Sequence, residues 1–443
     1  MMKPYLNWAF AAVILLLASC VDKDVPDPAP VITSGTANFS RYIAVGNSLA
    51  AGVTNNGLYQ AGQQVAYPNL LAGQFALAGG GSFTSPLFPV DQPNGTGYLK
   101  VTGLNSDGTP IITQVVPQAV RGQTTLAGIN VTLYTKYTGE LNNYGVPGIK
   151  VADLFDATYG NFNGFYERLL PGNAGSNITP YVSFVTTNTK ASTFVTVELG
   201  SNDALDYATS DGMTTSRMLT DQTLFNVNYG NAVFNFLNPS KGGVVTTVPD
   251  VTVLPYFHYV TLSTLRAALQ KKGFNPDNPV IIQALDASGT YSSRAATDGD
   301  YFMLTFDPNL VGGTNPANRR SFYGTLAGDP LASSAVLDKN EILKVQGAIN
   351  GYNNSIKSFA SKYSIPVLDI YTLFNQLRSG VTQDGVTIGT NFLTGGVFSL
   401  DGIHLTPRGN AYLTDELIKV INAKYGSTLP ALDISKYGGA GSN

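Results

Sequence analysis

The 443-residue sequence predicts an α/β protein, a sandwich of helices on a mainly parallel sheet, interrupted by long insertions. Three observations carry that prediction: short apolar runs that end in turn signals, helical stripes lying between and after them, and Gly/Thr-rich intervals that fit neither.

The apolar runs are YIAV at 42–45, FVTVEL at 194–199, VVTTV at 244–248 and PVLDI at 366–370. Each is short, rich in β-branched residues and apolar on successive positions, as expected of parallel strands buried on both faces. Between the last two, residues 338–363 place Ile342, Val345, Ile349, Tyr352, Ile356 and Phe359 three or four apart, one stripe of a helix that covers a sheet. A final helix is marked at both ends: Thr406 as cap, Pro407 in the first turn and Gly426 as stop, with Leu413, Leu417, Val420 and Ile421 inward. The intervals at about 76–140 and 256–335 read as insertions. The first alternates in TPIITQVV and INVTLYTKY around turns such as Ser106-Asp107-Gly108, which predicts β-hairpins; the second contains a helical piece at 262–272. Insertions of this size shape clefts and lids.

The N-terminal end stands apart. Lys3 precedes a short apolar stretch too brief to span a bilayer, the pattern of a secretory signal over residues 1–19. Leu17-Ala18-Ser19-Cys20 resembles a bacterial lipobox, which makes Cys20, the only cysteine, the expected lipidation site and membrane anchor. Residues 20–36 are acidic and proline-rich at their start and read as a flexible tether to the cell envelope, with the outer membrane as the expected location and inner leaflet or surface display left open. A single domain is then expected over 37–443. With 26 basic against 29 acidic residues and no basic cluster, nucleic acid is not an expected partner.

The chemistry-bearing residues are few. Ser48 follows the first strand in VGNSLAAG, where a helix-capping serine is the ordinary alternative. Only two histidines occur. His258, in LPYFHYV, has the surroundings of a packed or interface residue. His404, in SLDGIHLTPRG, has Asp401 three residues upstream across a turn at Gly402, so the carboxylate can fold back onto the imidazole. Spacing alone leaves a triad and an Asp-Gly turn beside an unrelated histidine equally open. Asn202 in LGSND follows a strand end, where residues of a parallel sheet line the ligand crevice and a side-chain N–H can meet an oxyanion. Asp298-Gly299-Asp300 lacks the further ligands of a calcium loop and reads as a solvated turn, so no metal and no cofactor are expected.

Taken together these blocks resemble the SGNH superfamily, the GDSL esterases and lipases. VGNSLAAG is similar to its first block, NNYGVPGIKVADL to its second, LGSND to the third, G-x-N-D, and DGIH to the last, D-x-x-H. The resemblance implies a flavodoxin-like, three-layer α/β/α sandwich with a mainly parallel five-stranded sheet. It implies Ser48 as nucleophile, His404 as base, Asp401 as its orienter, and an oxyanion hole from Ser48, Gly148 and Asn202. Asn47 departs from the aspartate of the family name. The implied function is hydrolysis of carboxylic esters of an acylated carbohydrate or lipid; the competing expectations are a surface glycan- or lipid-binding lipoprotein that keeps the fold with little turnover, or a carrier of a hydrophobic ligand.

Overall fold

A computed structural model describes residues 31–106, 108–210, 217–237 and 241–441. The expected leader, Cys20 and most of the tether lie outside the described residues, as does Asp107 of the predicted hairpin turn. The last tether residues are not free: Thr36 donates its backbone N–H to the Tyr425 carbonyl at 2.8 Å, and Thr33 donates to Thr428 Oγ1 at 2.9 Å. Backbone bonds to the chain's other end bring residues 33–36 into the fold, where composition alone suggested a linker.

The central sheet has five parallel strands, β1 (Tyr42–Gly46), β2 (Asn143–Gly145), β3 (Phe194–Glu198), β4 (Gly242–Thr246) and β5 (Val367–Leu368), in the order β5-β4-β3-β1-β2. The order 2-1-3-4-5 is that of flavodoxin-like sheets, and it reverses direction around β1. Ligands gather outside the carboxyl ends of strands at such a reversal, because the following loops diverge there. Four of the strands match the predicted runs within a few residues. The three residues of β2 gave no run long enough to detect.

Alternation of side chains divides the helices between two faces. Tyr42 and Phe194 point toward α2 (Tyr67–Leu77) and α9 (Pro407–Tyr425), with ring centroids 4.9 Å from Phe75 and 5.5 Å from Tyr425. The opposite face is covered by α3 (Tyr181–Asn188), α5 (Gln222–Phe236) and α7 (Lys339–Lys362), knit together by Phe225 stacked on Tyr352 at 4.1 Å and Tyr181 against Phe236. The α7 stripe is buried at Ile342, Val345, Ile349, Tyr352 and Ile356. Its start is locked by a reciprocal cap: Asp338 Oδ1 accepts from the Asn340 and Glu341 amides, while Glu341 Oε2 accepts from Asp338 N. Thr406 Oγ1 accepts from Gly409 N at 3.0 Å at the start of α9.

The first insertion forms two hairpins, Tyr98–Leu104 with Pro110–Val115 and Val120–Leu126 with Ile129–Tyr134. The second has its own small core, in which Leu265 of α6 (Leu262–Lys271) is buried with Ile282, Phe302, Leu331 and Val336.

Candidate active site

Ser48 begins α1 (Ser48–Ala51) immediately beyond β1. It does not cap that helix; Asn47 does, its Oδ1 accepting the Leu49 N–H at 3.0 Å. Ser48 is therefore released from the ordinary duty of a serine in this position. As the first helical residue it also carries one of the N–H groups that a helix leaves without an internal acceptor. Its Oγ lies 3.0 Å from His404 Nε2.

His404 Nδ1 lies 2.8 Å from Asp401 Oδ2. The fold-back anticipated from the three-residue spacing is made by Gly402, at φ +70°, with the Gly402 N–H donated to the Ser399 carbonyl. Asp401 accepts five hydrogen bonds. Oδ2 takes the His404 ring and the Asn56 N–H at 2.8 Å; Oδ1 takes Ser399 Oγ at 3.0 Å and the backbone N–H groups of Ile403 and His404 at 2.9 and 2.8 Å. Burial by itself would push this carboxyl up, but the His404 imidazole and these donors outweigh it and hold Asp401 well below the usual carboxylate range. With Asp401 ionised, Nδ1 carries the ring proton and Nε2 turns its lone pair to the Ser48 hydroxyl. Sequence reasoning missed the cradle under this aspartate. Asn55 and Asn56 both adopt left-handed backbone, φ 51° and 59°, which asparagine tolerates better than most residues; the consecutive Asn-Asn-Gly was the available signal.

Gly148 and Asn202 line the cleft that contains Ser48 and His404. Gly148 has φ +81°. A Cβ there would meet nothing closer than Asn163 Nδ2 at 3.6 Å, so backbone conformation rather than space requires glycine. Asn202 opens α4 (Asn202–Ala208) and donates Nδ2 to the Ile149 carbonyl at 2.9 Å, which uses one of the two hydrogens of that amide. The neighbouring Asp203 is fully buried and accepts from Val151 N, Ala152 N and Thr220 Oγ1; burial pushes its carboxyl up to about 7, with those hydrogen bonds opposing. The Asn-Asp pair thus fastens the loop that carries Gly148 to the end of β3.

Asn47 and Glu198 form the other flank of Ser48. Asn47 Nδ2 donates to Glu198 Oε1 at 2.8 Å, and Ser201 Oγ donates to the same oxygen at 3.3 Å. Glu198 is 2 % exposed, and burial pushes its carboxyl up to about 8 against those hydrogen bonds. An amide at position 47 gives this carboxyl a neutral donor, where an aspartate would set two acids against one another. This is the physical sense of the one departure from the family pattern.

His258 is not part of this cluster: its Nε2 lies 2.8 Å from the Thr252 carbonyl oxygen and its ring meets Tyr301 edge-on, but the residue is exposed rather than packed in the core. The Asp-Gly-Asp turn is corrected in one respect. Asp300 is 4 % exposed rather than solvated, paired with Arg294 at 2.6 Å and accepting from Thr297 N and Lys339 N, so it ties the insertion to α7. Among the described residues no group of three or more His, Cys, Asp or Glu is placed to hold a metal ion.

The family model for GDSL-like lipase/acylhydrolases matches residues 42–417. Comparison with the curated proteins returned no match. Among solved structures, the chain is similar to a point mutant of an acetyl-xylooligosaccharide esterase from Geobacillus, at 10 % identity and TM-score 0.35 over 87 % of this chain and 96 % of that one. It is also similar to a point mutant of an acetyl xylan esterase from Geobacillus stearothermophilus, at 10 % identity and TM-score 0.29 over 63 % of this chain and 72 % of that one. With a family match that runs from the first residue of β1 into α9, across the whole sheet and every residue of the cluster, the chain belongs to the GDSL-like lipase/acylhydrolase family, hydrolases that act on esters.

Proposed function

We propose that the protein is a serine esterase, tethered by lipid at Cys20 to the bacterial cell envelope, that hydrolyses carboxylic esters through Ser48, His404 and Asp401. The observation that carries the reading is the unbroken chain from Asp401 Oδ2 to His404 Nδ1 at 2.8 Å and from His404 Nε2 to Ser48 Oγ at 3.0 Å. His404 Nε2 takes the hydroxyl proton as Ser48 Oγ bonds to the ester carbonyl carbon, and ionised Asp401 stabilises the imidazolium and keeps its orientation. The resulting oxyanion is held by the N–H groups of Ser48 and Gly148 and by the Asn202 amide, each such donor being worth about 10²–10³ in turnover. His404 then returns the proton to the departing alkoxide, leaving an acyl-serine. Water attacks this acyl-enzyme with His404 again as base, releasing the acid and restoring the Ser48 hydroxyl.

The test is hydrolysis of 4-nitrophenyl acetate by the mature protein. Ser48→Ala is expected to abolish it, and turnover at a comparable rate in that variant contradicts the reading. The anchor rests on Leu17-Ala18-Ser19-Cys20 behind a short apolar run. Cells fed labelled palmitate should mark the protein, and the mark should vanish in Cys20→Ala; a mark that persists overturns the anchor.

A further inference from the structure

Two very unequal spaces open on Ser48. One is a small apolar recess of about 30 Å³, lined by Ser48, His404 and Asn202 together with the apolar Leu49, Leu205, Val251, Leu254, Phe374 and Ile403. The other is a cleft of about 340 Å³, lined by Gly148, Asn202, Asn56 and the stacked rings of Tyr134 and Phe165. Asn56 and Ile403 also line a third space of about 700 Å³, rimmed by Tyr256, Tyr259 and Phe392. The two large spaces fall within the range of about 300–1,000 Å³ typical of ligand pockets, whereas the recess lies about tenfold below its lower end.

The walls of the recess are held from behind. Val251 is followed by Thr252, whose N–H and hydroxyl both donate to Asp250 Oδ1, at 3.0 and 2.6 Å, and whose hydroxyl also accepts from Gln346 Nε2 at 3.0 Å. Phe374 of α8 (Ile370–Leu377) packs edge-on against Phe398 at 5.4 Å. Val251, Leu254 and Phe374 are buried, so a longer chain would have to displace packed core rather than solvent.

We propose that this recess is the acyl subsite and that it restricts the acyl group to two or three carbons, while the large clefts receive the alcohol. The substrate is then a short-acyl ester, an acetate above all, of a bulky alcohol, and long-chain lipid esters are excluded. This rests on the assignment of Ser48 as nucleophile.

The test is kcat/KM of the mature protein for 4-nitrophenyl acetate, butyrate and octanoate, with Ser48→Ala as control. Because one misfitting methylene in a hydrophobic pocket is worth roughly 10–200-fold, octanoate is expected to fall at least about 100-fold below acetate. The half-buried Leu205, which lines both the recess and the cleft, is the wall to open: Leu205→Ala should raise butyrate relative to acetate. Octanoate turned over as well as acetate, with all turnover lost in Ser48→Ala, overturns the acyl subsite and leaves the nucleophile in place. Turnover that persists in Ser48→Ala, or no turnover of any ester by the wild type, overturns the nucleophile and the subsite with it. Should Leu205→Ala not fold, the wild-type series decides alone.

Discussion

Two buried carboxyl groups flank Ser48, and they are held in opposite states. Asp401, 8 % exposed, accepts five hydrogen bonds and faces an imidazole; Glu198, 2 % exposed, has an amide and a hydroxyl as its side-chain donors. Burial works against the charge of both. At Asp401 the donors and the histidine win, so the group stays ionised; at Glu198 they do not, and the carboxyl is pushed up to about 8. Depth alone therefore does not set charge. The number and charge of the facing donors do, and the serine sits between an acid kept negative for its histidine and an acid kept largely neutral beneath its turn.

The largest effect that can break this contrast is Asp401→Asn. It keeps the shape but removes the charge that selects the histidine tautomer, and kcat is expected to fall by about 10⁴-fold in an ester assay. A loss below tenfold would mean that the Asp401 charge is not needed. Next comes the pH dependence of stability. Glu198 has a raised folded pKa, so the folded state holds a proton that the unfolded chain releases; its contribution falls as pH rises from about 4.5 to 8, by up to about 5 kcal/mol. Asp203 and Glu341, each pushed up to about 7, act with the same sign. Asp401 acts oppositely: its depressed pKa gives stability that is present above the usual aspartate range and lost as pH falls through it. Glu198→Gln should thus flatten, without abolishing, the decline in urea-unfolding free energy between pH 5 and 8, and an unchanged slope would show that Glu198 is ionised throughout.

Asn47→Asp sharpens the same point. It replaces the donor to Glu198 by a second acid, and a destabilisation of about 1–3 kcal/mol, greater at pH 8 than at pH 5, is expected in urea titrations. Equal loss at both pH values would point to shape rather than charge. Ser399→Ala is the smallest test on turnover: one of five donors to Asp401 is lost, together with the acceptor of the Asn55 N–H, worth about 1–3 kcal/mol in stability, with turnover reduced only a few-fold.

What the sequence revealed follows from where each signal resides. Strands buried on both faces and the striped helix α7 are written in local periodicity, and the Asp-to-His spacing in DGIH is local too. Strand β2 has only three residues and includes Asn143 and Gly145, so no apolar run announces it. Helix α5 carries Asn226, Asn228, Asn231 and Asn235, and these obscure the stripe of Phe225, Tyr229, Ala232, Val233 and Phe236 that it buries. Glu198 stands inside FVTVEL with no local sign of a role; its meaning depends on Asn47, more than a hundred residues away and adjacent only once β1 and β3 pair. Asn55 and Asn56 likewise acquire a role only when Asp401 folds against them.

The most direct measurement of the central claim is reaction with a small fluorophosphonate followed by peptide mass spectrometry. An activated serine forms a stable adduct through Oγ, so the expected result is a single modification on the peptide carrying Ser48, absent in His404→Ala. An unlabelled Ser48, or labelling undiminished without His404, would contradict the account.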